Sequence, residues 1–391
     1  MKVRIGFVLN APIKYSQTFH LYEFGLLAEQ GYEIIIFEGY SDTSRSYPYK
    51  RIKALPNKID SLSKLLYCAK VFLGLIIWGF IPLCHFYSKE VRSGTSFFRA
   101  FKRIWFNAHI LQTRMEYLHF CFAEVAIQKE LVAKAIGAKM SASLRGSDVL
   151  QYPKKNKDCY IRLWKYADKI HAVSHHVYRR AKSLGLDDST MVTIIYDGIN
   201  VQQIKFTPYA FHDPIQVVSI GRLEPVKDHF FALEVVHSLI KHDCSIHYSI
   251  IGDGSLRNLL MRRIVELELE RHVKIVGAKE HKELLSHLGE FDLLLHTSVS
   301  EGLGVALLEA QASGLLTFAL DAGGTEESIE NNKSGWIIRE RNPEVMARKI
   351  MEVLEFSPSA RQDVKVYARQ RIEKAFDIED RKKAWKDFFN K

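Results

Sequence analysis

The chain has 391 residues, 47% hydrophobic and 26% charged, and a formal net charge of +10. It is longer than the roughly 50–250 residues of one domain, and its composition excludes a disordered chain. Five cysteines without a Cys-x-x-Cys pair exclude a disulfide framework and a zinc knuckle, and they point to a reducing cytosol.

The first residues, to Leu9, predict a strand and not a secretion signal, because no small-residue cleavage site follows a central apolar run. A helix at about 18–29, a stop at Gly31 and a strand at 33–38 follow. Ser16 and Thr18 stand just before that helix, where hydroxyls cap a helix or meet a ligand.

Between Ser41 and Met115 there are 13 Lys and Arg against three acids, an excess equal to the net charge of the whole chain. Inside this segment Val71 to Ile81 is apolar all round, and it meets Pro82 before reaching the ~20 residues that span a bilayer. With Lys and Arg on its flanks and Trp78, Phe97, Phe98 and Trp105 nearby, the segment predicts an interfacial insertion on anionic lipid. The alternative is a buried helix with a solvated basic face. No nucleic-acid motif accompanies the basic patch, so nucleic acid is not expected as a partner.

Residues 201–214, with Pro208 and Pro214, predict a linker. Beyond it, strands at 215–220, 246–251, 272–276, 292–296 and 315–320 alternate with helices at about 228–241, 255–268, 280–289 and 304–313. That alternation predicts a parallel sheet with helices on both faces, and such sheets bind ligands beyond the carboxyl ends of their strands. Gly221, Gly252, Gly277, the loop 297–304 and Gly323 all fall there.

Two stretches on that edge carry the chemistry. Ser298 to Ala310 places Glu301 and Glu309 eight residues apart across a helix start formed by Gly302, Leu303, Gly304 and Val305. A helix N-terminus has unpaired N–H groups and roughly half a positive charge, which suits a phosphate. Upstream, Arg222 offers a planar fork and Lys227 a mobile point charge, both suited to a leaving diphosphate. On a helical rise the two carboxylates would lie roughly 12 Å apart, too far for the ~5 Å pair of a retaining glycosidase. They suit opposite ends of one long ligand, Glu309 toward a ribose and Glu301 toward a sugar. No Asp-x-Asp and no His/Asp/Glu cluster with ligand spacing is present, so no metal site is expected, and the lack of a Gly-x4-Gly-Lys-Ser/Thr loop sets phosphate-loop kinases aside. His281 and His287 read as surface residues.

At these positions the chain resembles glycosyltransferase family 4, over most of residues 215–340. Gly221-Arg222-Leu223, Lys227, Ile251-Gly252-Asp253-Gly254, Val276-Gly277, Asp292, the Glu-x7-Glu stretch and Gly323-Gly324-Thr325-Glu326-Glu327 occur in the family's order. The first half resembles exopolysaccharide and colanic-acid-type members more thinly. Ser16-Gln17-Thr18-Phe19 stands where Ser-Glu-Thr-Phe is usual, and Tyr117-Leu118-His119-Phe120 looks like the strand end whose His contacts the donor sugar. Arg145-Gly146-Ser147-Asp148 resembles a His-Gly-Ser-Asp turn with Arg in place of His.

The resemblance implies an α/β fold of GT-B type, two Rossmann-like domains with parallel sheets facing across a cleft. The expected division is 1–205 for an acceptor-side domain and 206–375 for a nucleotide-sugar domain, with a helix at 376–391 crossing back. It implies transfer of a sugar, with retention, from a nucleoside diphosphate-sugar to a glycan or lipid-linked acceptor in cell-surface polysaccharide synthesis, without a cofactor or metal. Catalytic roles fall to Arg222, Lys227, Glu301 and His119, and donor contacts to Glu309, Gly302 to Val305, Gly221, Gly252, Gly277, Ser16 and Thr18. Arg145 and Asp148 are expected on the acceptor side. The enzyme is expected in the cytoplasm, peripheral on the inner face of a membrane. A sugar-nucleotide epimerase and a non-catalytic nucleotide-sugar-binding module are the alternatives.

Overall fold

The computed structural model describes residues 2–13, 19–41, 48–207 and 211–390. Contacts group the chain into two units, one of Met1–Val173, Val177–Ile195 and Lys382–Lys391, the other of Ser174–His176 and Tyr196–Arg381. Ser16 and Thr18 lie outside the described residues.

The first unit holds a seven-stranded sheet of order β3-β2-β1-β4-β5-β6-β7. Its strands are β1 (Arg4–Leu9), β2 (Glu33–Glu38), β3 (Lys50–Lys53), β4 (Tyr117–Phe120), β5 (Lys139–Leu144), β6 (Lys169–Ala172) and β7 (Met191–Ile194). Every pairing is parallel. Central strands buried on both faces need unbroken apolar runs, as in Ile34-Ile35-Ile36-Phe37 of β2.

Helix α1 (Phe19–Glu29) joins β1 to β2. Three further helices, α2 (Leu62–Trp78), α3 (Phe80–Arg92) and α4 (Phe97–Leu111), fill the passage from β3 to β4. The apolar run around residue 78 breaks at Gly79, not at Pro82. The axes of α2 and α3 differ by 91° across that residue. Pro82 sits in the first turn of α3, where its missing N–H removes no helical bond. Among the described residues no single helix is long and apolar enough to cross a membrane.

The second unit holds a six-stranded sheet of order β10-β9-β8-β11-β12-β13. Its strands are β8 (Ile215–Ile220), β9 (Ile246–Ile251), β10 (Val273–Gly277), β11 (Leu293–His296), β12 (Leu316–Leu320) and β13 (Trp336–Ile338), again all parallel. Asp292, at the head of β11, accepts the Gln216 N–H at 2.7 Å and faces the His212 ring at 3.0 Å, fixing where β8 and β11 begin. The final helix, Ile378–Asn390, ends among first-unit residues, with Trp385, Phe388 and Phe389 buried around the rings of His119 and His171.

Candidate functional site

In the second unit the loops after β8, β9, β10, β11 and β12 are sewn together by backbone bonds. Gly221 N–H donates to Ile251 O at 3.0 Å, Gly252 N–H to Gly277 O at 2.9 Å, and Val299 N–H to Val226 O at 2.9 Å. Glu301 N–H donates to Ala322 O at 2.9 Å. Gly252 is required for this approach, because a Cβ there would stand 1.8 Å from Gly221 O. Gly221, Gly252, Gly277 and Gly302 to Val305 therefore share one edge of the sheet.

The helix Val305–Ser313 starts from Gly304, whose φ of 92° is a left-handed conformation that other residues adopt at a cost. No side chain caps it; Leu307 N–H turns back to Gly304 O at 2.9 Å, which leaves the Val305 and Ala306 N–H groups without a side-chain acceptor among the described residues. Gly314, with φ 91°, closes the other end.

Lys227 Nζ donates to Glu301 Oε1 at 2.6 Å, and His296 Nε2 reaches the same oxygen at 3.0 Å. The Thr297 hydroxyl, 3.2 Å from Lys227 O and 2.9 Å from Asp228 O, holds the backbone from which the lysine projects. Burial pushes the Glu301 carboxyl up, but the Lys227 charge and the His296 bond more than reverse this and hold it well below the usual carboxylate range. Glu301 is thus an anion. Its Oε2 accepts no hydrogen bond from the described residues, and Lys227 keeps two N–H donors for a further acceptor.

Glu309 is buried, and its Oε1 lies 2.6 Å from His281 Nε2. This corrects the reading of His281 as a surface residue: its hydrogen bond to Glu309 raises its pKa against the effect of burial. Arg222 is exposed, and its guanidinium makes no hydrogen bond or ion pair with the described residues. His229, two residues after Lys227, is buried against the backbone of Gly221 and Arg222, and burial lowers its pKa to about 4. Sequence reasoning missed both His296 and His229.

Within the first unit, the expected residues are held by their own neighbours. His119 is 1% exposed, with Nδ1 2.9 Å from Ser141 Oγ and Nε2 2.8 Å from Ser143 Oγ. Both ring nitrogens are occupied and aromatic rings enclose it, so the structure gives His119 a place in the core and no polar atom for a sugar. Arg145 is buried, bonds Glu23 Oε1 at 2.6 Å and stacks on Phe19 with 4.1 Å to the ring centre. Asp148 is fully buried and accepts the N–H groups of Ala123 and Arg145, each at 2.9 Å. Burial raises its pKa to about 6 against those bonds. Arg145 and Asp148 organise the turn after β5. Within the first unit a cavity of about 530 Å³ opens at the carboxyl ends of β1, β2 and β3, with Asn10, Glu38, Asn57, Lys58 and His109 in its wall. Glu38 Oε2 and His109 Nδ1 are buried there without a hydrogen-bond partner.

Residues 201–371 match the family described as glycosyl transferases group 1. The amylovoran biosynthesis glycosyltransferase AmsK of Erwinia amylovora is 27% identical over 269 residues, covering 66% of this chain and 66% of its own length. The putative colanic acid biosynthesis glycosyltransferase WcaL of Escherichia coli is 26% identical over 270 residues, again 66% of each. The chain therefore spans just under two thirds of these curated relatives. Among solved structures, Anabaena Alr3699/HepE in complex with UDP and glucose superposes with a TM-score of 0.72 at 16% identity, covering 99% of both chains. The chain thus carries a glycosyl transferases group 1 domain and has the GT-B fold, with relatives in polysaccharide biosynthesis.

Proposed function

We propose that the protein transfers a hexose from a nucleoside diphosphate-sugar to a glycan or lipid-linked acceptor, with retention of configuration, during synthesis of a cell-surface polysaccharide. The observation that carries this reading is the grouping on one sheet edge of the unpaired Arg222 guanidinium, the Lys227–Glu301 pair and the uncapped helix start at Gly304. Arg222, the remaining Lys227 donors and the helix start would take the diphosphate. Glu301 Oε2 would accept a sugar hydroxyl, and Glu309, steadied by His281, would accept from the ribose.

In the reaction the bond from the anomeric carbon to the diphosphate oxygen breaks and a bond from that carbon to the acceptor oxygen forms. The acceptor proton passes to the departing diphosphate. Charge grows on the diphosphate as it leaves, so fixed cations and N–H donors stabilise the transition state more than the bound donor, usually the largest catalytic contribution. Because Arg222 and Lys227 supply that positive charge, turnover is expected to persist in EDTA. The relative HepE is described with UDP and with glucose, which makes a uridine donor the first to try.

The acceptor is proposed to enter the cavity beside β1–β3, since Arg145 and Asp148 are spent on their turn. Lys58→Ala should raise the acceptor KM and leave donor affinity unchanged; an unchanged acceptor KM removes the cavity from this role. The enzyme is proposed to work in the cytoplasm, peripheral on the membrane. Anomeric NMR of the product made from a UDP-hexose tests the transfer reading. A product with the donor's configuration is expected, and an inverted product, or epimerised donor without acceptor, contradicts it.

A further inference from the structure

Fourteen of the 22 large apolar side chains exposed by the described residues lie between Ile59 and Phe106. Thirteen of them, all but Ile59, are displayed by three helices that have a second, buried face. On α2, Cys68, Val71 and Leu75 point into the core, while Leu62, Leu66, Leu73, Ile76 and Ile77 point outward. Trp78, Phe80 and Ile81 surround the sharp corner at Gly79 and are each at least 60% exposed. On α4, Ala100, Ile104 and Ala108 are buried, and Phe97, Phe98 and Phe101 are open.

The platform is rigid beneath this surface. Buried Glu90 of α3 takes Arg103 Nη1 of α4 at 2.5 Å, Arg162 Nη2 at 2.9 Å and the Thr95 hydroxyl at 2.7 Å. Burial of that one acid leaves the bases at the surface. Lys58, Lys70, Lys89, Arg92, Arg99 and Lys102 are all exposed, and Asp60 is the one exposed acid among the described residues 58–106. Soluble monomers rarely leave apolar patches above a few hundred Å² uncovered. A patch ringed by cations matches an anionic leaflet, whose hydrocarbon takes the apolar side chains and whose headgroups take the bases.

We propose that α2, α3 and α4 form a monotopic docking surface for an anionic lipid leaflet, with the Gly79 corner and the Phe97–Phe98 end inserted and neither helix crossing. Trp78, with an apolar ring and one N–H, fits the headgroup boundary. This deepens the reading of a lipid-linked acceptor and rests on it for the purpose of the surface, though not for its chemistry.

Flotation of the full chain with phosphatidylcholine vesicles, with and without phosphatidylglycerol, tests the proposal. Binding should require phosphatidylglycerol and weaken with salt, and the double variant Trp78→Ser, Phe98→Ser should lower the bound fraction about tenfold or more. Brominated lipid should quench wild-type fluorescence more than that of Trp78→Phe. Both side chains are exposed, so the variants should keep the wild-type melting curve and UDP affinity, which separates failure here from failure of the transfer reading. No binding to phosphatidylglycerol, equal binding by the double variant, or a wild-type dimer that the double variant converts to monomer would each overturn it.

Discussion

Replacing Lys227 with Met perturbs the centre of the proposed donor site and has two consequences that separate. The Lys227–Glu301 pair is mostly buried, with side chains 21% and 13% exposed and 2.6 Å between Nζ and Oε1. Removing one partner of a fully buried pair costs about 3–5 kcal/mol, because the other charge is left uncompensated. Here His296 still bonds the carboxylate and the lysine is partly solvated, so about 2–3 kcal/mol is expected. For a unit of this size that corresponds to a fall in Tm of roughly 5–10 °C. Loss of a preorganised donor to the leaving group should also lower kcat/KM by roughly 10²–10³.

A second change discriminates the two effects. Glu301→Gln added to Lys227→Met removes the stranded charge, so most of the Tm should return while activity stays lost. The sign of the pH effect is fixed too. The folded pKa of Glu301 is depressed, so its contribution to stability is present above the unfolded carboxylate pKa and lost as pH falls below it. Lys227→Met should therefore narrow the stability gap between neutral and acidic pH. Differential scanning calorimetry and initial rates check both arms. An unchanged Tm with less than threefold loss of rate would refute the reasoning.

His281→Ala should raise the donor KM several-fold with little change in kcat, because Glu309 loses the group that orients it. The His281 pKa is raised in the folded state, so its contribution is full below the unfolded value and fades as pH rises through the folded one. The stability difference between wild type and His281→Ala should accordingly shrink above neutral pH; a constant difference from pH ~6 to ~9 contradicts the pairing. His171 behaves in the opposite sense. Burial, then the Arg145 charge, lower its pKa to about 4, so the unfolded chain binds more protons between there and 6.5 and stability falls on acidification. Each such ring contributes a slope of at most about 1.4 kcal/mol per pH unit, and urea midpoints across that range should be less pH-dependent in His171→Asn. An equal slope in both proteins rules the ring out as a source.

The second unit was legible because its signals are local. Strand and helix alternate at regular spacing from Ile215 to Leu320, and glycines mark the strand ends. What the sequence hid is set by pairing across strands. His119 lies at a strand end beside Phe120, which suggests a ligand contact, yet register places it beside Ser141 and brings Ser143 beside His171. Two serines of β5 therefore fill its ring nitrogens, and Ser143 links it on to His171 of β6. His281 and Glu309 are far apart in the chain and meet because β11 and its flanking helices bring them together, a relation no spacing rule contains. Gly79 outranked Pro82 as the helix break for a related reason. A Cβ at 79 would sit 3.1 Å from Leu111 O and 2.8 Å from a Leu75 methyl, so the corner is shaped by tertiary packing.

The most direct test of the account is the affinity of UDP for the wild-type chain and for Arg222→Ala, measured by titration calorimetry. Arg222 is exposed and its guanidinium bonds none of the described residues, so the substitution should leave folding intact and weaken UDP at least about tenfold, the loss expected for a charge-assisted contact to phosphate. Equal affinity in both proteins, or heat of binding in neither for UDP and GDP alike, would contradict a diphosphate site on this edge of the second unit.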